Sequence, residues 1–328
     1  MISNREEIRD ERFGIAASES HAQEMKVIGA VDIGGTKIAV GAVTEDGMVV
    51  GRCERATRPE EGFALATQSI KGMLIDSALQ AGADLEGIGI ACPGPLDPFT
   101  GLIGEVGTLP GWQGGNLVTE LEPEFGVRVA VENDADAAAL AEASHATAQD
   151  SRCFIYITVS TGIGGGIILS GNLYRGVDGA HPELGHQVLD ASGPPCYCKA
   201  RGCWESLASG PAMVAWAREQ EPRLGNLTAA EICARAQEGD QLAWRAVDRE
   251  GYYLGLGLAN LITLFCPDRI ALGGGVMKSS HLFLDRARQV IREVSTQVPA
   301  AKTQITLASL GSDAGLVGAA QAWLRRYR

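Results

Sequence analysis

The sequence lacks an excess of positive charge. Its 328 residues contain 28 lysines and arginines against 40 aspartates and glutamates, and the formal net charge is −12. Nucleic acids and anionic membranes are bound by basic surfaces, so this balance argues against either of them as the main partner. The charge leaves open a small anionic ligand that is held by backbone amides.

Long apolar runs are also missing. No stretch approaches the roughly 18 uncharged apolar residues that a membrane span needs. Residues 1–26 mix acidic and basic side chains and have no apolar core of signal-peptide length. The eight cysteines then favour a reducing compartment. We expect a cytoplasmic protein in which residues 1–26 form a polar tail outside the fold.

Strand-like and helix-like segments alternate along the chain, with glycine turns between them, which predicts an α/β fold. One pattern, apolar strand, glycine turn, apolar strand, begins at Lys26 and again at Cys153. This repetition predicts an internal duplication with two lobes. Because no linker-like tract separates the lobes, we expect them to meet in a cleft. We assign residues 27–134 to a small lobe and residues 135–313 to a large lobe, with a C-terminal helix at residues 314–328 packed on the small one.

The two glycine turns, DIGGTK and STGIGGG, lack the Walker A spacing and the GxGxxG spacing of a Rossmann site. Each has a hydroxyl residue beside glycines whose backbone amides could cradle phosphate. A third run, LGGGV, closes a strand where an adenosine could pass. Facing hairpins that clamp a nucleoside triphosphate resemble the actin/hexokinase/sugar-kinase superfamily, in which Asp32 would lie near the metal and phosphates. The ATP-binding candidates are Asp32, Gly34, Gly35, Thr36, Lys37, Thr161, Gly162, Gly274 and Gly275.

The segment VENDAD contains a candidate catalytic carboxylate. Asn133 and Asp134 end a predicted strand and begin a predicted helix, where either residue type is a favoured cap. Alternatively, Asp134 faces a cleft as a base, kept ionised by the helix dipole. The two roles are compatible if Asn133 caps the helix and Asp134 faces the substrate. We expect Asp136 to point elsewhere on the helix, into solvent.

One histidine and three cysteines cluster in GHQVLDASGPPCYCKARGC, namely His186, Cys196, Cys198 and Cys203. A disulfide is disfavoured in a reducing compartment, and a redox pair would read CxxC. Buried thiols are disfavoured by the surrounding proline, glycine and basic residues. A Cys₃His set is typical of a closed, tetrahedral structural zinc site. We expect a bound zinc ion to hold this loop in place and to direct Glu183 and Glu205 into the cleft. The glycine hairpins are expected not to depend on the loop, so that its loss affects sugar binding more than ATP binding.

From about Lys26 to the C-terminus, the chain resembles the ROK family of bacterial sugar kinases (repressors, open reading frames and kinases). The resemblance rests on DIGGTK, ENDAD, VSTGIGGGI…YRGVDGAHPELGH and the cysteine loop. It implies a two-lobed, actin-like ATPase fold of the ribonuclease H-like type, with the site in the cleft. It also implies ATP-dependent phosphorylation of a hexose 6-hydroxyl, with Asp134 as the general base. The implied sugar contacts are Gly94, Asn133, Asp134, Glu183, His186 and Glu205.

The same resemblance implies ATP with Mg²⁺, a structural Zn²⁺ and a homodimer. His186 would use one ring nitrogen for zinc and the other for the sugar. Glucose is the first candidate substrate, followed by N-acetylmannosamine or N-acetylglucosamine and then fructose. The chain departs from the family pattern at Lys199, where glycine usually follows the second cysteine. It also has Thr108 where glucose-specific relatives often have asparagine.

A sugar-sensing repressor of the same family is the alternative from another class. Such repressors have a helix-turn-helix domain ahead of the sugar-binding part, and residues 1–26 are too few for one. The acidic charge argues in the same direction. A catalytically inactive sugar-binding relative is a third possibility, disfavoured because Asp134 and both glycine hairpins are present.

Overall fold

The computed structural model describes residues 26–144, 150–222 and 226–328. Except for Lys26, the expected polar tail lies outside the described residues. Within them the chain forms two mixed sheets. The first sheet is built from β1 (Lys26–Ile33), β2 (Lys37–Val43), β3 (Val49–Ala56), β4 (Asp84–Cys92) and β5 (Arg128–Asn133). The second is built from β6 (Cys153–Val159), β7 (Ile163–Leu169), β8 (Asn172–Leu173), β9 (Arg269–Gly273) and β10 (Gln304–Leu307).

The two sheets have the same topology. In the first, with the order β3–β2–β1–β4–β5, an antiparallel meander of β1 to β3 is extended by the parallel strands β4 and β5. In the second, with the order β8–β7–β6–β9–β10, β6 to β8 form the meander and β9 and β10 run parallel to β6. The duplication predicted from the repeated glycine turns is therefore present in the strand order.

Helices cover both sheets. Their bounds are α1 (Phe63–Ala81), α2 (Leu117–Phe125), α3 (Asp134–Ser144), α4 (Trp204–Ala208), α5 (Gly210–Gln220), α6 (Ala229–Gln237), α7 (Gln241–Phe265), α8 (Leu284–Val294) and α9 (Ala314–Tyr327). Within the residues described, none of these helices has the length and apolar character that crossing a bilayer requires.

The core of the first sheet is sandwiched between two helices. Ile70 and Leu74 of α1 are fully buried against one face, and Leu316 and Trp323 of α9 pack on the other. Full burial of one such side chain stabilises the fold by about 1.5–3 kcal/mol. On the second sheet, α7 lies against α4, α6 and α8 around Trp204 and Leu258.

Helix α3 connects the two sheets. It continues directly from β5 of the first sheet and packs on α9 and on β6 and β7 of the second. Its run of alanines, including the buried Ala137 and Ala139, lets neighbouring elements approach closely. The first turn of α3 therefore lies where the two lobes meet, and this turn contains Asp134.

Candidate active site

Asn133 and Asp134 divide the two roles that the sequence leaves open at ENDAD. The Asn133 side-chain oxygen accepts hydrogen bonds from the amides of Ala135 (2.9 Å) and Asp136 (3.2 Å), so Asn133 caps α3. The Asn133 amide nitrogen faces Gly94, where an added Cβ would lie 3.2 Å away. Asp134 is exposed on its cleft side. Protein on its other sides desolvates the carboxyl group and raises its pKa, while the Ala135 amide lowers it.

A second carboxylate, Asp32, faces the same region from the end of β1. Burial raises the pKa of Asp32 to about 6, and the charge of Asp134 adds to the rise. The Asp32 carboxylate lies over the first turn of α9, where a Cβ on Gly315 would approach its Cγ to 2.3 Å. A helix N-terminus favours such a negative charge. A poorly solvated carboxylate such as that of Asp32 is suited to a divalent cation, which would neutralise its charge.

The first glycine hairpin joins β1 to β2. Gly34 donates a backbone hydrogen bond to the Lys37 carbonyl at 2.9 Å and closes the turn. A Cβ on Gly35 would lie 2.9 Å from the Cβ of Thr108, so the segment with the family departure at Thr108 touches this hairpin. Lys37 is exposed and pairs with Glu54 at 2.9 Å.

The second glycine hairpin lies at the mouth of a cavity of about 660 Å³. Ser160, Thr161 and Gly275 line the cavity, as do residues of α5 and α6 that sequence reasoning missed. This volume is large enough for a nucleoside. Gly274, also predicted to bind ATP, has φ +93° and lies against the Val159 carbonyl, 2.3 Å from an added Cβ. The cavity residues missed by the sequence include Gly210, Pro211, Val214, Arg218, Thr228, Cys233 and Lys278.

The structure brings together the four predicted zinc ligands. The ligand atoms of His186, Cys196, Cys198 and Cys203 all lie within 4.8 Å of one another. The His186 Nδ1 is 3.5 Å from the Cys196 Sγ, and the Sγ atoms of Cys198 and Cys203 are also 3.5 Å apart. Sulfur ligands at ~2.3 Å from a tetrahedral centre are about 3.8 Å apart, so the donor set fits zinc. All eight cysteines are free thiols.

Residues expected to bind sugar lie beside the His/Cys cluster, in the loop that we call the zinc loop after its predicted metal. Glu205 follows the last cysteine into α4, and its Oε2 accepts a hydrogen bond from the Ile163 amide at 2.9 Å. The His186 Nε2, expected to face the sugar, lies 2.9 Å from the hydroxyl of Tyr197. The ring of Tyr197 is largely exposed, but partial desolvation of its hydroxyl, followed by the charges of Glu205 and Glu183, raises its pKa to about 12. Tyr197 was not singled out in the sequence because it lies between two cysteines.

The expectation that Asp136 is solvated was wrong. Asp136 is fully buried beneath the first turn of α3, and its Oδ2 lies 2.9 Å from the Nδ1 of His181. Close by, the buried Glu132 pairs with both terminal nitrogens of Arg175. The sequence alone did not predict these two buried ion pairs. The closely spaced acidic residues of ENDAD are equally compatible with an exposed helix face.

The sequence and the fold are both similar to those of known proteins. The sequence matches the model of the ROK family over residues 28–326. The chain belongs to the ROK family. It is 34% identical over 304 residues to the glucokinase of Halalkalibacterium halodurans, a match that covers 88% of this chain and 92% of that protein.

Solved ROK structures share the fold. The ROK hexokinase of Thermus thermophilus superimposes with a TM-score of 0.80 at 35% identity, over 91% of this chain and 98% of that one. A ROK glucokinase of Streptomyces griseus, solved in complex with glucose and AMPPNP, gives a TM-score of 0.76 at 33% identity, over 90% and 98%. The predicted family and the predicted two-lobed, actin-like fold are confirmed.

Proposed function

We propose that this chain transfers the γ-phosphoryl group of ATP to the 6-hydroxyl of a hexose, with glucose as the preferred sugar. The observation that carries the proposal is the position of Asp134 where the lobes meet. The zinc loop with Glu205 and the nucleoside-sized cavity both adjoin the second glycine hairpin. The prediction of an ATP-dependent hexokinase is confirmed by the similarity to glucokinases and to a ROK glucokinase solved with glucose and AMPPNP.

Asp134 is the proposed general base. Its carboxylate takes the proton of the sugar hydroxyl while the hydroxyl oxygen attacks the γ-phosphorus. The bond between that phosphorus and the β–γ bridging oxygen breaks, and ADP leaves with the electron pair. Desolvation raises the pKa of Asp134 above its ordinary value, which makes the carboxylate a stronger base than an exposed aspartate.

Sugar recognition is assigned to the residues around the head of α3 and the zinc loop. Asn133 is buried and fixed by its capping bonds, so its amide nitrogen is held in place beside Gly94. Glu183, His186 and Glu205 would accept or share hydrogen bonds with sugar hydroxyls. We assign zinc to the four-residue cluster, where it would hold the His186 ring and the loop that presents these glutamates.

Asp32 fits a magnesium ion, because its carboxylate is poorly solvated and the charge of Asp134 adds to the rise of its pKa. Bound magnesium would neutralise charge on the triphosphate. Asp32 itself holds negative charge beside the start of α9 and excludes a larger side chain at Gly315. A homodimer, implied by the family resemblance, is part of the proposal and is tested by sedimentation velocity.

The deciding experiment measures ADP release with a panel of sugars at saturating Mg·ATP. The panel contains glucose, mannose, fructose, N-acetylmannosamine and N-acetylglucosamine. We expect the highest kcat/KM with glucose, and ³¹P NMR of the product should show a 6-phosphate. If kcat/KM is higher with an N-acetylhexosamine than with glucose, that sugar is the preferred substrate. Sugar binding by calorimetry without turnover on any sugar would instead identify a sensor.

A further inference from the structure

A buried ion pair lies behind the proposed base. The Asp136 carboxylate is 0% exposed, and the Nδ1 of His181 approaches its Oδ2 to 2.9 Å. The approach deviates from the direction of a good hydrogen bond, so the contact is chiefly one of charge with charge. Asp136 lies in the first turn of α3, two residues after Asp134. His181 lies in the segment that leads to the zinc loop, so the pair joins the base to that segment.

The surroundings of Asp136 require a compensating charge. Gly166 of β7 packs directly on the carboxylate, where an added Cβ would lie 2.8 Å from its Oδ1. Within the described residues, no aligned hydrogen bond reaches either carboxylate oxygen. An isolated carboxylate in such a site would be strongly destabilising, whereas a paired one is tolerated. His181 is the positive group in contact with the carboxylate. Arg175, which pairs with Glu132, is a second cation, and the charge of Asp136 helps to raise its pKa.

The charges around His181 favour its protonated form. Burial alone would lower the pKa of His181. The contact with Asp136, followed by the negative charges of Glu183 and Asp134, outweighs that effect, and the pKa of His181 is raised. Its side chain is only 14% exposed, so solvent screens these interactions weakly.

The imidazolium in turn acts on Asp134. Desolvation is the main effect that raises the pKa of Asp134, and Asp136 and Glu183 add to it. The Ala135 amide and the His181 charge act in the opposite direction. Asp32 faces Asp134 from β1 and is a further negative charge. His181 is thus a cation placed among acidic groups that would otherwise favour protonation of the base.

We propose that Asp136 and His181 form a positioning pair, in which the buried Asp136 carboxylate holds the His181 imidazolium beside Asp134 and so keeps that base charged at neutral pH. The effect of the pair on Asp134 rests on the proposed kinase function, whereas the charge of the pair does not depend on it. One measurement therefore tests the effect on catalysis, and a second tests the charge of the pair.

The first measurement is the pH profile of kcat/KM from pH 5 to 9, with the best hexose, for His181→Gln and for His281→Gln. Loss of the imidazolium should move the acidic limb of the profile upward by about one pH unit. On the acidic limb, where the base is mostly protonated, the kcat/KM of His181→Gln should then fall by up to about tenfold relative to wild type, with little loss at pH 9. His281 is an exposed histidine that contacts Gln237, and its variant should keep the wild-type limb. An unchanged limb in folded His181→Gln overturns the proposal.

The second measurement is the free energy of unfolding as a function of pH, by urea titration. Because the folded-state pKa of His181 is raised, its stabilising contribution is full below about pH 6.5 and is lost as the pH rises through the folded-state value. Wild type should therefore lose more stability than His181→Gln above pH 6.5. Parallel curves would mean that the pair is not charged and would overturn the proposal.

A double variant guards against misfolding of the single one. Asp136→Asn combined with His181→Gln removes both charges and leaves no unpaired buried carboxylate. We expect it to be more stable than His181→Gln alone, with an acidic limb between those of wild type and His181→Gln. Equal stability of the double and single variants would contradict the pairing. If wild type phosphorylates no sugar, the proposed function fails, and the unfolding curves still decide the ion pair.

Discussion

The carboxylate of Glu205 accepts a hydrogen bond from the backbone amide of Ile163 at 2.9 Å. The same carboxylate occupies the space where a Cβ on Gly162 would lie, 2.3 Å from its Oε2. Glu205 follows Cys203 by two positions, so the zinc loop is connected directly to the second glycine hairpin. The sequence did not predict this contact, which gives a structural reason to expect that the second hairpin depends on the loop.

Loss of a zinc ligand should weaken the binding of both sugar and ATP. In Cys198→Ser, we expect less than one zinc per chain, a lower free energy of unfolding and reduced affinity for sugar and for ATP, because Glu205 no longer supports the hairpin. Elemental analysis and calorimetry measure these changes. The exposed Cys266 is outside the cluster, and Cys266→Ser is the matched control. Intact ATP affinity in Cys198→Ser would contradict the connection through Glu205.

A methyl group at Gly162 should displace Glu205. Gly162→Ala places a Cβ against the carboxylate, so we expect weaker sugar binding as well as weaker ATP binding, with a loss of roughly 1–3 kcal/mol in stability. Gly72→Ala in α1 is the control, since an added Cβ there meets nothing within 4 Å. That variant should gain up to about 1 kcal/mol from helix propensity. Thermal unfolding and calorimetry of the two proteins provide the comparison, and wild-type sugar affinity in Gly162→Ala would exclude the contact.

Lys199 should be a site of stored strain. Its φ is +75°, in the left-handed region that glycine adopts freely, and its side chain is exposed. Lys199→Gly should therefore stabilise the protein by about 1 kcal/mol without loss of activity. Arg201→Gly, in the same loop but without positive φ, should destabilise it. The unfolding midpoints of the two variants, compared with that of wild type, test this prediction. A midpoint below the wild-type value for Lys199→Gly would show that Lys199 is not strained.

Asp134→Asn should abolish most turnover while sugar still binds. The amide keeps the shape of the side chain but cannot accept the proton, so kcat should fall by about 10²–10⁴-fold. In wild type, kcat should decline as the pH falls through the raised pKa of Asp134, because the base must be ionised. Asp285→Asn, on an exposed carboxylate of α8, is the control for loss of one charge. Turnover close to wild type in Asp134→Asn would leave Asp134 without a catalytic role.

At neutral pH, the ionised Asp32 carboxylate should lower the free energy of unfolding, although the proposed function requires it. Its folded-state pKa of about 6 lies above the ordinary 3.8, so the folded protein binds its proton more tightly than the unfolded chain. Stability from this group is full below about pH 4 and declines as the pH rises through about 6. In metal-free buffer at pH 7, Asp32→Asn should be more stable than wild type by roughly 1–2 kcal/mol. With Mg·ATP and sugar, it should be inactive.

Magnesium supplies the check on that prediction. Wild type should become more stable when Mg·ATP is added, and Asp32→Asn should respond much less, because the ion has lost one carboxylate. Differential scanning calorimetry with and without Mg·ATP measures both effects. Equal stabilisation of the two proteins would remove Asp32 from the metal site.

Local chemistry in the sequence determined a large part of this protein. The repeated glycine turns predicted two related sheets, because the same pattern of apolar strand, glycine turn and apolar strand begins each of them. The Cys₃His spacing predicted the metal cluster, since the ligands lie within one loop and few other roles suit them. Asn133 followed by Asp134 predicted both a cap and a base from the backbone needs of a helix start.

Only the tertiary structure decided which distant groups share one environment. Asp136 and His181 are far apart in the chain, and burial by Gly166 of β7 turns an apparently solvated carboxylate into half of an ion pair. Glu205 reaches the Ile163 amide because α4 packs beside the second hairpin. Charges and close contacts of this kind depend on distances across the fold, which residue spacing along the chain does not contain. The sequence thus identified the candidate groups, and the packing of α3 between the lobes set their electrostatic surroundings.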